Sequence, residues 1–307
     1  MLAEICLEKG QRAVIGKVAM DNAEECPDFY RDKSTAEGLD STRALIEYIR
    51  NLAGNDDGVV LPAVTPRFIP GCTDAMLEGL GSITDEYNCH VQTHCSESDW
   101  EHDYVIERHG INDTQSLDQF RLLTDKTVLA HSNLINDEDM LTIKARRSGI
   151  AHCPLSNVYF SNAVFPARRA LDRGLKVGLG TDISGGPNPS ILHNCQASVS
   201  SSRLLEEGVD PTVPAGERGT PNSRISYLEA FWMATVGGAK TLGLKVGQFT
   251  EGFNFDAIVI DSSVADTNLH AGENTQIAEN MLQRIIYNAE RRNITAVWVQ
   301  GKMVKGA

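Results

Sequence analysis

The sequence predicts an α/β fold of the TIM (β/α)8-barrel type that is incomplete as it stands. Six short apolar runs alternate with stretches of helical periodicity, which is the order of a parallel sheet covered by helices. All of these runs except IAHCP end in a polar residue, and barrel enzymes carry their active sites at the carboxyl ends of the strands. The runs are VIGKVAMD (14–21), VVLPAVTPR (59–67), HVQTH (90–94), TVLAH (127–131), IAHCP (150–154) and KVGLGTD (176–182). A closed barrel needs two more strands, so barrel strands 1 and 2 are expected to be missing.

The stretches between these runs have the periodicity and end signals of helices. Residues 37–53 are amphipathic, and residues 73–87 form the next predicted helix. Further helices are predicted after His94, in DEDMLTIKARRSG, in NAVFPARRALDRG, around Ile191–Glu207 and in ISYLEAFWMATVGGAKTLGL. Residues 1–9 are predicted to be the last turns of a helix, as if another segment preceded them.

The chain is expected to divide into two parts of unequal size. Residues 1–245 are predicted to form the partial barrel, and residues 246–307 a C-terminal helix with strands of a small β-sandwich. Two alternating runs, 253–260 and 294–304, predict those strands, and an acidic helical stretch separates them.

Composition and charge exclude several classes of function. The chain has 28 basic and 41 acidic residues and a net charge of −13, whereas nucleic-acid grooves and anionic membranes need a basic surface. The seven cysteines include no CxxC pair, so reduced thiols in the cytoplasm are expected. No run of about 18 apolar residues occurs, so no membrane span is predicted. The expected partner is a small molecule, without nucleic acid or membrane.

Three polar residues that follow apolar strands have the chemistry of metal ligands. His94, His131 and Asp182 come at the ends of HVQTH, TVLAH and KVGLGTD. Two imidazoles and a carboxylate on neighbouring strand ends suit Zn²⁺ or another borderline cation. Any one of them alone is more often a hydrogen-bonded histidine or a turn-forming aspartate. The occurrence of all three at strand ends favours a metal site over these structural roles.

The remaining acid and histidines near these runs have other expected roles. Glu97, three residues after His94, is not expected as a ligand but is near enough to exchange protons with a water that the metal activates. His152 lies inside the predicted strand IAHCP, so a structural role is expected for it. Surface or packing roles are expected for His90, His102, His109, His193 and His270.

Arg67 and Phe68 follow another strand, in VTPRF. An arginine at a strand end needs an anionic or carbonyl-rich partner, which a loop carboxylate could supply. The functional alternative is a planar donor fork that recognises a carbonyl and a ring nitrogen of a substrate, with Phe68 stacking on it. Phosphate-binding glycine loops, GxSxG and HExxH do not occur in the sequence.

Several of these motifs occur together in one order: GKVAMD, TPRF, QTHCSE, LAHSNL, AHCPLSN and GLGTDISGG. In this order and at these spacings the sequence resembles the amidohydrolase superfamily, and within it the guanine deaminase family. TPRF and AHCPxSN, with GKVxMD upstream, are more specific than scattered His and Asp residues. GQFTEGFNFDAIVID and VWVQGKMV resemble strands of that family's small β-sandwich, so the resemblance extends over essentially all 307 residues.

The resemblance implies a hydrolase of purine catabolism that converts guanine and water to xanthine and ammonia, with one Zn²⁺ in each complete active site. It implies that His94 and Asp182 are zinc ligands, and that His131 orients the activated water or the substrate. Glu97 would move protons between the water, the purine ring and the leaving amine, and Asp182 would also act as a base. The complete protein is expected to be a cytoplasmic homodimer. The residues that would bind the purine are Arg67, Phe68 and His131.

The sequence departs from that family in the features of the family's N-terminal part. In the family, the first barrel strand ends in an H-x-H pair that supplies two zinc ligands, and no H-x-H occurs in this sequence. The chain is therefore expected to be a fragment that, expressed alone, binds zinc weakly, tends to aggregate and shows no guanine deaminase activity. One alternative is a related deaminase or chlorohydrolase that acts on another heterocycle. The other is a non-catalytic truncated isoform that acts by binding a protein, such as a full-length chain.

Overall fold

The computed structural model describes residues 1–270 and 278–306, and the chain divides into two compact units. The first unit contains Met1–Ala151, Gly174–Lys176 and Thr241–Gly243. The second unit contains His152–Arg173, Val177–Lys240 and Leu244–Ala307. Part of the acidic helical stretch predicted before residue 294, at 271–277, lies outside the described residues.

Six strands form the principal sheet: β1 (Ala13–Ala19), β2 (Val60–Pro66), β3 (His90–Cys95), β4 (Thr127–His131), β5 (Gly149–His152) and β6 (Lys176–Leu179). They lie side by side in chain order, from β1 to β6. Successive pairs from β1 to β5 are parallel, as in the register pair that joins Cys95 to His131. The prediction of an α/β fold with a parallel sheet is therefore confirmed, and β4 has the bounds that the sequence predicts.

Helices separate the strands along the chain, as the sequence predicts. In the first unit, Ile46 and Ile49 of one helix and Leu77 and Leu80 of the next are fully buried. In β2, every residue except Leu61 is buried, which is typical of a parallel strand covered on both faces. The helices are α1 (Leu2–Glu8), α2 (Thr35–Arg50), α3 (Asp74–Tyr87), α4 (Asp99–His109), α5 (Asp113–Gln119), α6 (Asp137–Arg146), α7 (Pro154–Phe160), α8 (Ala167–Asp172), α9 (Ile191–Glu207), α10 (Tyr227–Trp232), α11 (Gly238–Leu242) and α12 (Ala278–Asn288).

Side-chain caps fix where the helices near the strand ends begin. Ser34 precedes α2 and accepts a hydrogen bond from the N–H of Glu37, and Ser98 precedes α4 and accepts one from Glu101. Serine at this position satisfies a main-chain N–H that has no partner within the helix. The cap at Ser98 ends the connection after β3 within a few residues, so that connection stays short.

A smaller antiparallel sheet belongs to the second unit and consists of β7 (Ala257–Ile260), β8 (Ile294–Val299) and β9 (Lys302–Lys305). The predicted run 253–260 forms a strand only in its second half. The run 294–304 is a hairpin rather than one strand, because Gln300 and Gly301 form its turn with φ of 51° and 74°. All of β8 is half-buried, and all of β9 is exposed.

The position predicted for His152 is wrong, because β5 ends at this residue. Pro154, which begins α7, lacks the N–H that a continuing strand would need. His152 is buried, its ring centroid lies 5.1 Å from that of Phe165, and its Nδ1 lies 3.5 Å from Nδ2 of Asn157. These contacts are consistent with the structural role expected for it.

Some helical segments differ from their predicted form. The charged segment after His94 contains two helices, α4 and α5, rather than one. The predicted helix ISYLEAFWMATVGGAKTLGL is interrupted by a π-helical turn, Met233–Gly237, between α10 and α11. None of the helices in the described residues is long and apolar enough to cross a membrane.

Candidate active site

β3 and β4 place two histidines side by side at the carboxyl end of the parallel sheet. His94 is the last residue but one of β3, and His131 is the last residue of β4. Their rings are stacked, with centroids 5.2 Å apart and an angle of 21° between the planes. His131 is fully buried, and His94 is partly exposed. The two imidazoles therefore form one face that is accessible from the side of His94.

The main chain of Arg67 orients His94. Nδ1 of His94 lies 2.6 Å from the carbonyl oxygen of Arg67, and the main-chain N–H of His94 donates to the same oxygen at 3.1 Å. A ring nitrogen this close to a carbonyl oxygen carries the proton and donates it. Nε2 of His94 is then the ring nitrogen with a lone pair, which is the atom that a metal ligand needs.

The carboxylate of Glu97 lies beside the two imidazoles, with Oε2 at 3.7 Å from Nε2 of His131. Within the described residues, His94, Glu97 and His131 form the one group of His, Cys, Asp and Glu side chains that could hold a metal ion. One ligand atom from each of them lies within 4.8 Å of the other two. Imidazole nitrogens and a carboxylate oxygen are donors that Zn²⁺ accepts. This donor set therefore fits a divalent cation of that kind.

Both strands end in main-chain turns of the left-handed region. Ser96 has a φ of 47°, and His131 and Ser132 have φ of 70° and 56°. The N–H of Ser132 donates to the carbonyl of Cys95 at 2.8 Å, and that of Asn133 to the carbonyl of Ser96 at 3.0 Å. Such conformations are uncommon for residues other than glycine and concentrate at functional sites. The two hydrogen bonds hold the strand ends at a fixed spacing.

Arg67 and Phe68 follow β2 and lie next to His94. The ring centroid of Phe68 is 6.3 Å from that of His94 and 6.1 Å from that of Trp100. The guanidinium carbon of Arg67 lies 5.3 Å from the ring centroid of Phe68 and 5.8 Å from that of Tyr30. Nη1 of Arg67 donates to the hydroxyl of Tyr30 at 3.3 Å. A guanidinium among aromatic rings is a surface suited to a flat heterocycle.

Asp182 follows β6 in the second unit, as the run KVGLGTD predicts. The hydroxyl of Ser156 donates to its Oδ2 at 2.5 Å, and the N–H of Gly186 donates to its carbonyl oxygen. Its main chain has a φ of 51°. The structure thus brings together His94, Glu97 and His131, and the convergence of Asp182 with them stays a prediction.

Three residues that support the site were not indicated by the sequence. Tyr30 contacts Arg67, Asn133 donates through Nδ2 to the carbonyl of Glu97 at 2.8 Å, and Glu101 accepts from the N–H of Glu97 at 2.8 Å. The S-x-x-E motif at 98–101 indicates a helix start, but nothing in it indicates that Glu101 is buried. Contacts made across the fold leave no trace in the local pattern.

The chain is similar to known proteins over nearly its whole length. The profile of the amidohydrolase family matches residues 1–304. The chain is 37% identical over 312 residues to a probable guanine deaminase of Schizosaccharomyces pombe, with 100% of this chain and 56% of that protein covered. It is 33% identical to a guanine deaminase of Homo sapiens, with 99% of this chain and 65% of that protein covered.

A solved structure has a similar fold. The guanine deaminase from C. acetobutylicum, crystallised with guanine in its active site, matches with a TM-score of 0.85 and 31% identity. The match covers 98% of this chain and 67% of that one. Against the two curated relatives above, the chain spans 56% and 65% of their length.

Proposed function

The chain belongs to the amidohydrolase family, and on that premise we propose that it carries active-site residues of a zinc-dependent guanine deaminase. The proposed reaction converts guanine and water to xanthine and ammonia. The observation that carries the proposal is the group formed by His94, Glu97 and His131 at the ends of two adjacent strands. A nitrogen ligand for a cation beside a carboxylate that exchanges protons is an arrangement suited to hydrolysis of a C–N bond.

Zn²⁺ is the cation proposed for this group. Bound there, it would lower the pKa of a coordinated water to about 7 and so supply a nucleophile at neutral pH. His94 would act as a ligand through Nε2, because its Nδ1 donates to the carbonyl of Arg67. Asp182, which follows β6, is proposed as a second ligand and as a base. His131 is proposed to orient the water or the substrate through Nε2.

Glu97 is proposed to carry protons during the reaction. It would take a first proton from the attacking water and pass it to a nitrogen of the purine ring. It would then take the second proton from the hydroxyl that has added to the ring carbon and deliver it to the amine, which leaves as ammonia while the carbonyl of xanthine forms. The position of its carboxylate, 3.7 Å from Nε2 of His131, supports this role. Two hydrogen bonds of the Glu97 main chain support it as well: its carbonyl oxygen accepts from Asn133, and its N–H donates to Glu101.

Arg67 and Phe68 are proposed to bind the purine, with His131. The guanidinium of Arg67 offers several N–H donors in one plane, which suits the carbonyl and a ring nitrogen of guanine. Phe68 offers a ring face 6.3 Å from the imidazole of His94. A purine that stacks on Phe68 would therefore lie within reach of the proposed metal group.

The architecture proposed for the site is part of a larger barrel. The six-stranded sheet is proposed to correspond to a (β/α)8 barrel without strands 1 and 2, formed by residues 1–245. Residues 246–307 are proposed to add a helix and strands of a β-sandwich. The complete protein is proposed to be a homodimer in the cytoplasm, and the seven free cysteines support that compartment.

The experiment compares two proteins: the 307-residue chain, and a restored chain to which a strand segment with an H-x-H pair is added before Met1. Ammonia release is measured with guanine, adenine, cytosine and a chlorotriazine, and bound zinc by mass spectrometry. We expect one zinc per restored chain and turnover of guanine. The 307-residue chain is expected to bind zinc weakly and to release no ammonia, because two of the implied ligands are absent from its sequence.

Each contrary result favours a defined alternative. Preference of the restored chain for another heterocycle would favour a related deaminase or chlorohydrolase. A restored chain that binds zinc but turns over nothing would favour a non-catalytic protein, a role with which the lack of H-x-H is consistent. Turnover of guanine by the 307-residue chain itself would show that other residues replace the missing pair.

A further inference from the structure

Two helices of the first unit begin with the same local motif but differ in the burial of its glutamate. At α2, Ser34 caps the helix, and Glu37 accepts from the N–H of Lys33 at 2.8 Å. At α4, Ser98 caps the helix, and Glu101 accepts from the N–H of Glu97 at 2.8 Å. Glu37 is exposed, whereas Glu101 is only 2% exposed. Capping a helix does not require a buried carboxylate, so the burial of Glu101 needs another explanation.

A second buried acid lies against Glu101. Asp113, the first residue of α5, is fully buried. Oε1 of Glu101 and Oδ1 of Asp113 are buried, and neither accepts a hydrogen bond from a protein donor within the described residues. Burial, the charge of Asp113 and a hydrogen bond with Asp113 raise the pKa of Glu101 well above its usual range. A proton on Glu101 lets its carboxyl group donate a hydrogen bond to Asp113, which reduces the repulsion between the two buried acids.

Glu101 and Asp113 hold the turn after β3 through hydrogen bonds to two consecutive residues, Glu97 and Ser96. Oε2 of Glu101 accepts from the N–H of Glu97, and Oδ2 of Asp113 accepts from the hydroxyl of Ser96 at 3.0 Å. Nδ1 of His102 lies 3.1 Å from the same oxygen of Asp113, and this hydrogen bond raises the pKa of His102. Ser96 is the residue with a φ of 47° after β3, so these bonds hold the main chain where its conformation is least favourable.

We propose that Glu101 and Asp113 are positioning residues that fix the main chain of Glu97 so that its carboxylate stays beside His131. This inference rests on the proposed function for the role of Glu97 in proton transfer. It goes beyond that function because neither acid is expected to touch the substrate. A buried acid pair is costly to desolvate, and the proposal explains its presence by the position of one side chain in the site.

The test compares Glu101→Met, which keeps the volume but removes the acceptor, with Glu101→Gln. The glutamine carbonyl can accept from Glu97, and its amide can donate to Asp113, so this variant should behave like the parent. The matched control is Glu37→Ala, which removes the same type of bond from the exposed motif at α2. Hydrogen–deuterium exchange of the Glu97 amide and the values of kcat and KM for guanine are all measured in the restored chain. Circular dichroism verifies that each variant is folded.

In Glu101→Met, we expect the Glu97 amide to exchange roughly tenfold faster or more. We also expect kcat to fall about 10–100-fold, with KM changed by about twofold or less, because misplacing a catalytic group affects the reaction more than binding. Glu101→Gln and Glu37→Ala should match the parent in both measurements. Unchanged exchange at Glu97 in the methionine variant would overturn the proposal, and so would a glutamine variant as impaired as the methionine one. If the parent itself has no turnover, the proposed function fails, whereas the exchange measurement still decides the positioning.

Discussion

The parallel sheet and the antiparallel sheet differ in how deeply their side chains are buried. In the parallel sheet, β2 is buried except at Leu61, and the ends of β3 and β4 carry the His94, Glu97 and His131 group. In the antiparallel sheet, β8 is half-buried and β9 is exposed throughout. A sheet covered on both faces holds its strand ends at fixed spacing, which a proton-transfer site needs. We therefore expect function to depend on the first sheet, and changes in the second to have small effects.

The largest effect is expected from Glu97→Gln. This change keeps the shape of the side chain but removes its capacity to exchange protons, a contribution of about 10²–10⁴-fold to the rate. We expect kcat of the restored chain for guanine to fall by that amount while its zinc content stays at one per chain. The control is Glu107→Gln, an exposed position on α4.

The zinc content decides the role of Glu97. Loss of zinc in Glu97→Gln would assign Glu97 as a ligand, which its distance of 3.7 Å from Nε2 of His131 also allows. Full turnover in this variant would remove Glu97 from the mechanism and leave the parallel sheet without its proposed proton carrier.

The second prediction compares the same type of substitution, isoleucine to alanine, at one position in each sheet. Ile150 in β5 is fully buried, and Ile258 in β7 is 51% exposed. Ile150→Ala should lower the free energy of unfolding by about 2–5 kcal/mol, because it removes buried methyl groups and leaves a cavity. Ile258→Ala should lower it by about 1 kcal/mol or less. Urea unfolding of the two variants measures the difference, and equal losses would contradict the contrast drawn between the sheets.

The sequence predicts what depends on local pattern. The apolar run TVLAH has the bounds of β4, and α9 lies where the sequence predicts a helical stretch. His152 was placed wrongly because IAHCP is apolar beyond the residue where Pro154 ends the strand. The family motifs indicated His94 and Glu97, and the structure shows their side chains in one group with His131.

The remainder depends on contacts between distant parts of the chain. Tyr30 lies 37 positions from Arg67, and its loop has no motif that predicts their hydrogen bond. Glu37 and Glu101 occur in the same S-x-x-E pattern, and only the packing around α4 buries the second. Periodicity within one element cannot report which neighbour covers it.

A smaller effect is expected from Arg67→Ala. Hydrogen bonds to a charged donor contribute about 1.5–3 kcal/mol, so KM of the restored chain for guanine should rise roughly 10–100-fold. The value of kcat should change less, because the guanidinium is proposed to bind the purine rather than to transfer protons. Arg43→Ala, at an exposed ion pair with Glu86, is the control. An unchanged KM would remove Arg67 from the purine site.

The smallest effect is expected from Tyr30→Phe, which keeps the ring beside Arg67 and removes only the hydroxyl. Tyr30 is 43% exposed, so water replaces part of the lost bond, and KM for guanine should rise by about two- to tenfold with kcat unchanged. Tyr48→Phe, at a tyrosine of α2 that is 40% exposed, is the matched control. Tyr30 lies in the connection between β1 and α2, so a rise in KM would show that this connection contributes to the purine site. If Tyr30→Phe and Tyr48→Phe give the same KM as the parent, Tyr30 does not belong to the purine site.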